Sequence, residues 1–307
     1  MRTTVRAGRR KVEVKHAEKP LFGPDGATKA DLADYYARIA PLMLPLVRDR
    51  PVALERFPDG IDDPGFLSQH PPHPKWIRTV WTSSGRMMEC QEAAALVWCA
   101  DQAAITLHTW SSRTPRLGLP DRMVLDLDPV GEGEDAFESC RDAAWSVREV
   151  LTELGLAAYV MTTGSRGLHV HSPLRPEVGD LEVRRLAKAV ADRVAARAPE
   201  EWTTRVRKAA RHGRMFVDYL RNGPAQLAVA PYSVRARPGA PVAAPVTWEE
   251  LDQLTSSRDF TIDLERQECP FAGMRRHARS PRRALSLLDR GEGGVVPRPR
   301  TSRGEGE

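Results

Sequence analysis

The chain has 307 residues, 41% of them apolar and 28% charged, with a formal net charge of +5. A composition of this kind excludes a disordered chain and allows one large folded domain or two ordinary ones, and the basic balance is compatible with a nucleic-acid partner. The four cysteines (Cys90, Cys99, Cys140, Cys269) contain no CxxC pair, and no apolar run reaches the ~18 residues of a membrane span, so a zinc knuckle, a redox dithiol and a transmembrane helix are not expected.

The basic stretch Met1 to Lys15 lacks the apolar core of a secretory signal, and residues 1–10 are expected to form a flexible basic arm. Thr28, with Asp31 three residues on, predicts a helix N-terminus leading into Asp34 to Ile39, and Pro41 and Pro45 are expected to break that run. Pro51 to Phe57 reads as a strand closed by the turn Pro58-Asp59-Gly60, and the proline-rich residues 62–76 read as a loop. A short buried helix follows over Glu92 to Ala100, then a strand over Ala104 to Trp110.

The next strand, Met123 to Pro129, carries Asp126 and Asp128 on one face, with Met123, Leu125 and Leu127 on the other. Two anions held that close repel unless a cation lies between them, so both are candidate metal ligands. Ala136 to Leu154 predicts an amphipathic helix ending at Gly155. Ala157 to Thr163 and Leu168 to His171 read as strands joined by the glycine turn Thr163-Gly164-Ser165-Arg166-Gly167. Two glycines can aim backbone N–H groups at an anion, and Arg166 and His169 add donors; an ordinary β-turn with a core histidine is the other reading.

Residues 180–198 predict a second long helix, and a dense basic run, Arg205 to Arg214, precedes a strand bearing Asp218. Three strand carboxylates are the equipment of two-metal phosphoryl transfer. Leu227 to Val234 is expected as a strand running into Arg235 and Arg237, which either grip a triphosphate or form a solvated basic edge. Trp248 to Leu254 and Ser280 to Leu288 read as helices, and residues 291–307 as a disordered tail. Without a regular βαβ rhythm, residues 11–290 predict an α+β fold: a central mixed or antiparallel sheet flanked by helices.

Asp-Leu-Asp-Pro (126–129), Thr-Gly-Ser-Arg-Gly-Leu-His-Val (163–170), Val-Asp-Tyr-Leu-Arg-Asn (217–222) and Ala-Pro-Tyr-Ser-Val-Arg-Ala-Arg-Pro-Gly (230–239) follow one another in this order. In that order they resemble the polymerase domain of bacterial ligase D, a member of the archaeo-eukaryotic primase superfamily that serves non-homologous end joining. The resemblance runs from about Val12 to Leu288 and takes in Lys19, Thr28-Lys29, Arg50-Pro51, Arg56 to Gly60 and Leu107 to Trp110. It implies a primase-polymerase fold and a nucleotidyltransferase that extends primer 3′-hydroxyls at DNA ends or gaps, with ribonucleotides preferred. Asp126, Asp128 and Asp218 would be the catalytic residues, holding two Mn2+ or Mg2+ ions. His108, Thr163, His169 and Arg235 would contact the nucleoside triphosphate, with Arg166 beside them. Lys19 and Lys29 would bind the 5′-phosphate of a DNA end or gapped duplex.

Thr163 stands where the family usually has Ser, and Leu227-Ala228 where Thr-Thr is common. Phe66-Leu67-Ser68-Gln69 replaces an aromatic pair followed by Glu-Lys or Gln-Lys. Leu67 offers no ring to a template base and Gln69 no charge, which predicts weaker template positioning or 5′-phosphate affinity. The chain has no Lys-x-Asp-Gly motif of a ligase. The expectation is therefore a stand-alone, cytoplasmic, nucleoid-associated polymerase module, partnered by Ku and a separate ATP-dependent DNA ligase. The rivals are a DNA-end binding scaffold with weak or no synthesis and a metal-dependent nuclease.

Overall fold

The structure, a computed structural model, describes residues 1–290; the tail expected at 291–307 lies outside the described residues. The chain begins with a hairpin, β1 (Arg2–Ala7) antiparallel to β2 (Arg10–Lys15), where a flexible arm was expected. Val5, Ala7, Val12 and Val14 bury one face of the hairpin against α1 (Lys29–Val47) and α2 (Ala93–Asp101). That apolar row orders a segment whose charge alone suggested none.

Thr28 and Asp31 form the capping box of α1: Thr28 Oγ1 accepts from the Asp31 N–H, and Asp31 Oδ2 accepts from the Thr28 N–H. The helix continues through Pro41 and Pro45, contrary to expectation. Both prolines lie four residues apart on the exposed side, so the hydrogen bonds they forfeit are on the water-facing side, while Met43, Leu44 and Val47 stay packed.

The remaining strands are β3 (Val52–Arg56), β4 (Phe66–Ser68), β5 (Thr79–Thr82), β6 (Gly85–Met88), β7 (Ala104–Thr109), β8 (Arg122–Asp128), β9 (Tyr159–Thr162), β10 (Leu168–Pro173), β11 (Trp202–Thr203), β12 (Met215–Asp218), β13 (Ala228–Val229) and β14 (Pro245–Val246). The later helices are α3 (Glu134–Glu153), α4 (Asp180–Arg197), α5 (Trp248–Leu251) and α6 (Pro281–Asp289). Among the described residues these strands build two six-stranded sheets. One has the order β13-β7-β3-β6-β5, with β4 on β3; the other is β11-β12-β8-β10-β9-β14. Only β11 and β12 pair in parallel among the described strands, so the fold is α+β with mixed and antiparallel sheets, as expected, but its strands are divided between two sheets.

Helices α1 and α2 pack on the first sheet. Helices α3 and α4 pack on the second, over Met123, Leu125 and Leu127 of β8. The opposite face of β8 turns toward the first sheet. There Arg122 Nη2 donates to Thr109 Oγ1 on β7, and that junction holds the site. Three local outcomes differ from expectation. The 62–76 loop contains β4, because Phe66 to Ser68 find the free edge of β3. The strand expected over 227–234 shrinks to β13, because Tyr232 takes a left-handed backbone (φ 66°) and the chain turns there. The β5–β6 hairpin was not read from the sequence, although Thr79 to Thr82 and the turn at Ser83-Ser84-Gly85 carry its signal.

Candidate active site

Strand β8 runs through the middle of the second sheet, and strict alternation sends Asp126 and Asp128 to the face opposite Leu125 and Leu127. Register then assembles the site. Asp218 of β12 and His169 of β10 both pair directly with Asp126, so His169, Asp126 and Asp218 form one row across three strands. Asp128 lies one step further along the same face.

His169 Nε2 lies 3.3 Å from Asp126 Oδ1. Arg221 Nε donates to Asp126 Oδ2 at 3.1 Å and lies 4.0 Å from Asp218 Oδ2. The Leu220 N–H donates to Asp218 Oδ1 at 2.6 Å. Burial works to raise the Asp126 carboxyl, but His169 and Arg221 outweigh it and hold Asp126 well below the usual carboxylate range. Asp128 is pushed up, first by burial and then by the charge of Asp126. Asp218 is pushed up by burial and by both other aspartates, against the Leu220 N–H.

The other wall comes from the first sheet and the segment after β13. His108 on β7 meets Glu55 of β3, Nε2 to Oε2 3.3 Å. Burial lowers the pKa of His108, with Arg235 adding to it and Glu55 opposing, so the ring is neutral at neutral pH. Arg235 Nη1 donates to the Thr163 carbonyl at 3.0 Å, and burial lowers its pKa without removing a charge that guanidinium keeps in proteins. His108, Asp126, Asp128, Thr163, His169 and Arg235 line one cleft of about 120 Å³, with Arg221 at its wall.

The Thr163–Gly167 turn is closed on itself. Thr163 Oγ1 accepts from the N–H groups of Ser165 (3.3 Å) and Gly167 (3.2 Å) and donates to the Gly167 carbonyl (3.0 Å). These two N–H groups, expected to face an anion, point to a hydroxyl instead. Ser257 Oγ seals the turn by donating to the same carbonyl at 2.7 Å. Arg166 faces a neighbouring cleft with Glu132 and Arg258, from which its charge still acts on Asp128.

Lys19 and Lys29 do not line the cleft. Their backbones meet, Lys29 N–H to Lys19 carbonyl 2.9 Å. Lys19 Nζ reaches Asp59 at 2.7 Å from a partly exposed position, whereas Lys29 is buried, its Nζ donating to the Lys15 carbonyl (2.7 Å) and to Asp101 (3.2 Å). Arg221, Glu55 and Ser257 were not singled out from the sequence. Arg221 had a signal, three residues after Asp218 on the turn that follows β12; Glu55 and Ser257 arrive only through register and long-range packing.

Carboxylate oxygens suit a hard divalent ion. A guanidinium already lies on Asp126, and the raised Asp128 and Asp218 carry an unmet demand for positive charge, so the donor set fits such an ion. Among the described residues no three His, Cys, Asp or Glu side chains are already gathered as a metal cage, and Arg221 lies on Asp126. No helix among the described residues is long and apolar enough to cross a membrane.

A family model described as LigD, primase-polymerase domain, matches residues 28–270. The multifunctional non-homologous end joining DNA repair protein LigD of Mycobacterium tuberculosis is 36% identical over 260 residues, covering 80% of this chain and 34% of that protein. The Pseudomonas aeruginosa LigD is 35% identical over 263 residues, 84% of this chain and 31% of that one. The bifunctional LigD of Bacillus subtilis is 28% identical over 269 residues, 85% and 44%. The chain thus spans about a third of the length of the Mycobacterium and Pseudomonas relatives. Among solved structures, the polymerase domain of Mycobacterium tuberculosis ligase D in complex with DNA aligns with a TM-score of 0.72 at 33% identity, over 92% of this chain and 95% of that one. The ordered motifs, the fold and these matches agree: the chain belongs to the family of LigD primase-polymerase domains.

Proposed function

We propose that this chain is a metal-dependent polymerase that extends primer 3′-hydroxyls at DNA ends or gaps in non-homologous end joining, with ribonucleotides preferred. The observation that carries the reading is the cross-strand row of His169, Asp126 and Asp218, with Asp128 beside it, facing a wall that holds His108 and Arg235. The primer 3′-hydroxyl would give its proton to solvent and its oxygen would bond to the α-phosphorus while the α–β phosphoanhydride bond breaks and pyrophosphate leaves.

Asp126, Asp128 and Asp218 would hold Mn2+ or Mg2+. Such ions, when bound, acidify the attacking hydroxyl and neutralise the triphosphate. Arg235 supplies a fixed cation to the phosphates, and the neutral His108 is a hydrogen-bonding partner without charge. His169 orients Asp126. Lys19 is the more accessible of the two lysines for a 5′-phosphate, and Lys29 fixes its backbone. The basic hairpin β1–β2 adjoins Lys29, whose ammonium meets the Lys15 carbonyl. Phe66 and Leu67, both 49% exposed on β4, leave a single ring for a template base, with the Arg56 guanidinium over Phe66 at 5.4 Å. Ku and an ATP-dependent ligase are the partners this role calls for.

The test is extension of a 5′-phosphorylated gapped duplex with ribonucleoside or deoxynucleoside triphosphates and Mn2+ or Mg2+. Asp128→Ala is expected to abolish extension while DNA binding persists. Full extension by that variant overturns the mechanism. Binding without extension by the unaltered chain points to the scaffold, and shortened strands without nucleotide point to a nuclease.

A further inference from the structure

His108 and Glu55 share one face of the first sheet. His108 of β7 is directly opposite Ala53 of β3, and Glu55, two residues on, is its diagonal neighbour. Glu55 Oε2 meets His108 Nε2 at 3.3 Å. The ring of His108 lines the cleft of the aspartates, whereas Glu55 stands behind it, partly exposed.

The charge on Glu55 decides where the His108 proton sits. The hydrogen bond with His108 holds the Glu55 carboxyl below its ordinary range, against burial, and Arg235 adds to the effect. Glu55 is therefore ionised at neutral pH, and an ionised carboxylate accepts hydrogen bonds but cannot donate them. Nε2 must then carry the proton that the pair shares. Burial keeps the ring neutral at neutral pH, and a neutral imidazole has a single N–H. Nδ1 is left with a bare lone pair. It has no hydrogen-bond partner among the described residues, and it is not sealed from solvent.

A lone pair at the cleft repels the oxygens of a triphosphate and takes a hydroxyl donor. Phosphate already has a cation in Arg235 on the same cleft. The donors that a nucleotide carries beside its phosphates are its sugar hydroxyls, and a deoxynucleotide lacks the 2′-hydroxyl.

We propose that Glu55 is a positioning residue that fixes His108 as a hydrogen-bond acceptor, so that His108 Nδ1 reads the 2′-hydroxyl of a ribonucleotide. The proposal rests on the polymerase function above and gives its sugar preference a cause: a deoxynucleotide leaves Nδ1 unpaired. Glu55 touches neither nucleotide nor metal and acts through the ring.

The test compares the full chain with Glu55→Leu, which removes the acceptor, and Glu55→Gln, whose amide can either accept from Nε2 or donate to it. Nitrogen-15 NMR of histidine-labelled protein is expected to show the His108 proton on Nε2 in the unaltered chain and shared between both nitrogens in the variants. Calorimetry with Mg2+ is expected to show ATP binding more tightly than dATP. That ratio is expected to fall by about tenfold in Glu55→Leu and by less in Glu55→Gln. A residue that merely supported the fold would weaken both nucleotides alike and leave the ratio and the proton where they are. A proton on Nδ1 in the unaltered chain overturns the proposal. So does equal affinity of that chain for ATP and dATP, binding of neither, or a ratio unchanged in Glu55→Leu. Failure of the polymerase reading is a separate result, namely no primer extension by the unaltered chain with either nucleotide, and the NMR and binding ratio decide the role of Glu55 without it.

Discussion

Gly167 shows how closely the strand that carries Asp126 and Asp128 is held. A Cβ at this position would lie 1.8 Å from the Leu127 carbonyl oxygen, between Asp126 and Asp128 in sequence. That same carbonyl accepts from the Cys140 thiol of α3 at 3.1 Å, so it has no room to retreat. Gly167→Ala is therefore expected to cost about 1–3 kcal/mol of stability, as overpacking does, and to lower extension by shifting both carboxylates. Thermal melting and primer extension check this, and an unaltered melting temperature contradicts it. Thr163→Ser, which keeps the hydroxyl that closes the turn, is expected to be neutral in both assays. Much of this site was legible in the sequence. Period-two alternation exposes the Asp126/Asp128 pair, the strand at 215–220, the glycine turn and the basic 230–237 stretch offer Asp218, His169 and Arg235, and the resemblance adds His108. Arg221 and Glu55 were not legible, because a charge partner supplied by a turn or by cross-strand register leaves no local pattern. Nor was it legible that Thr163 spends its hydroxyl on the turn's own N–H groups.

At the scale of elements, local chemistry predicts starts better than stops. The Thr28–Asp31 box opens α1 as read, but Pro41 and Pro45 do not end it, since tertiary packing of the buried face outweighs two missing hydrogen bonds on the wet one. The hairpin β1–β2 is the reverse case: charge hid a short apolar alternation. Its outward face pairs Arg2 with Lys15 and Arg6 with Lys11 directly across the strands, and of these four side chains only Arg2 finds a carboxylate among the described residues, Glu13 at 3.2 Å. Like charges opposite one another destabilise a ribbon. A polyanion alongside relieves that repulsion, so on the proposed function the outward face is a track for DNA phosphates. Arg6→Ser with Lys11→Ser is expected to weaken gapped-duplex binding and to reduce the slope of log affinity against log salt by up to about 2, while the melting temperature holds or rises. Anisotropy titrations across salt concentrations decide it, and an unchanged slope removes the hairpin from the DNA surface.

For the whole molecule, the division into two sheets was not legible, because alternation reports which face of a strand is buried and not which sheet the strand joins. The two sheets are tied beside the site by a buried cluster. Arg50, after α1, reaches Asp121 at the start of β8, and Arg113 reaches the same carboxylate from the intervening loop. Both arginines also hold main-chain carbonyls, Arg50 those of Trp110 and Ser111, Arg113 those of Pro45 and Arg48. Burial alone would raise the Asp121 carboxyl, but Arg50, Arg113 and Arg122 outweigh it and hold it below its ordinary value. The sign of the pH effect follows from linkage. A carboxyl whose pKa is lower in the folded than in the unfolded chain contributes stability that is fully present above its unfolded pKa of about 3.9 and is lost as pH falls through the lower folded value. Asp121→Asn leaves the two guanidiniums without their carboxylate. Breaking a buried pair from one side costs about 3–5 kcal/mol, so the variant is expected to melt well below the unaltered chain at pH 7. The gap between the two should be constant from pH 7 to about pH 5 and close as the pH is taken below about 4, where the unaltered chain loses the Asp121 charge and the variant has none to lose. Melting curves of both proteins across this range test the cluster directly. A gap that stays constant to the lowest pH at which both still fold would mean that Asp121 is not what the two arginines rely on to join the sheets.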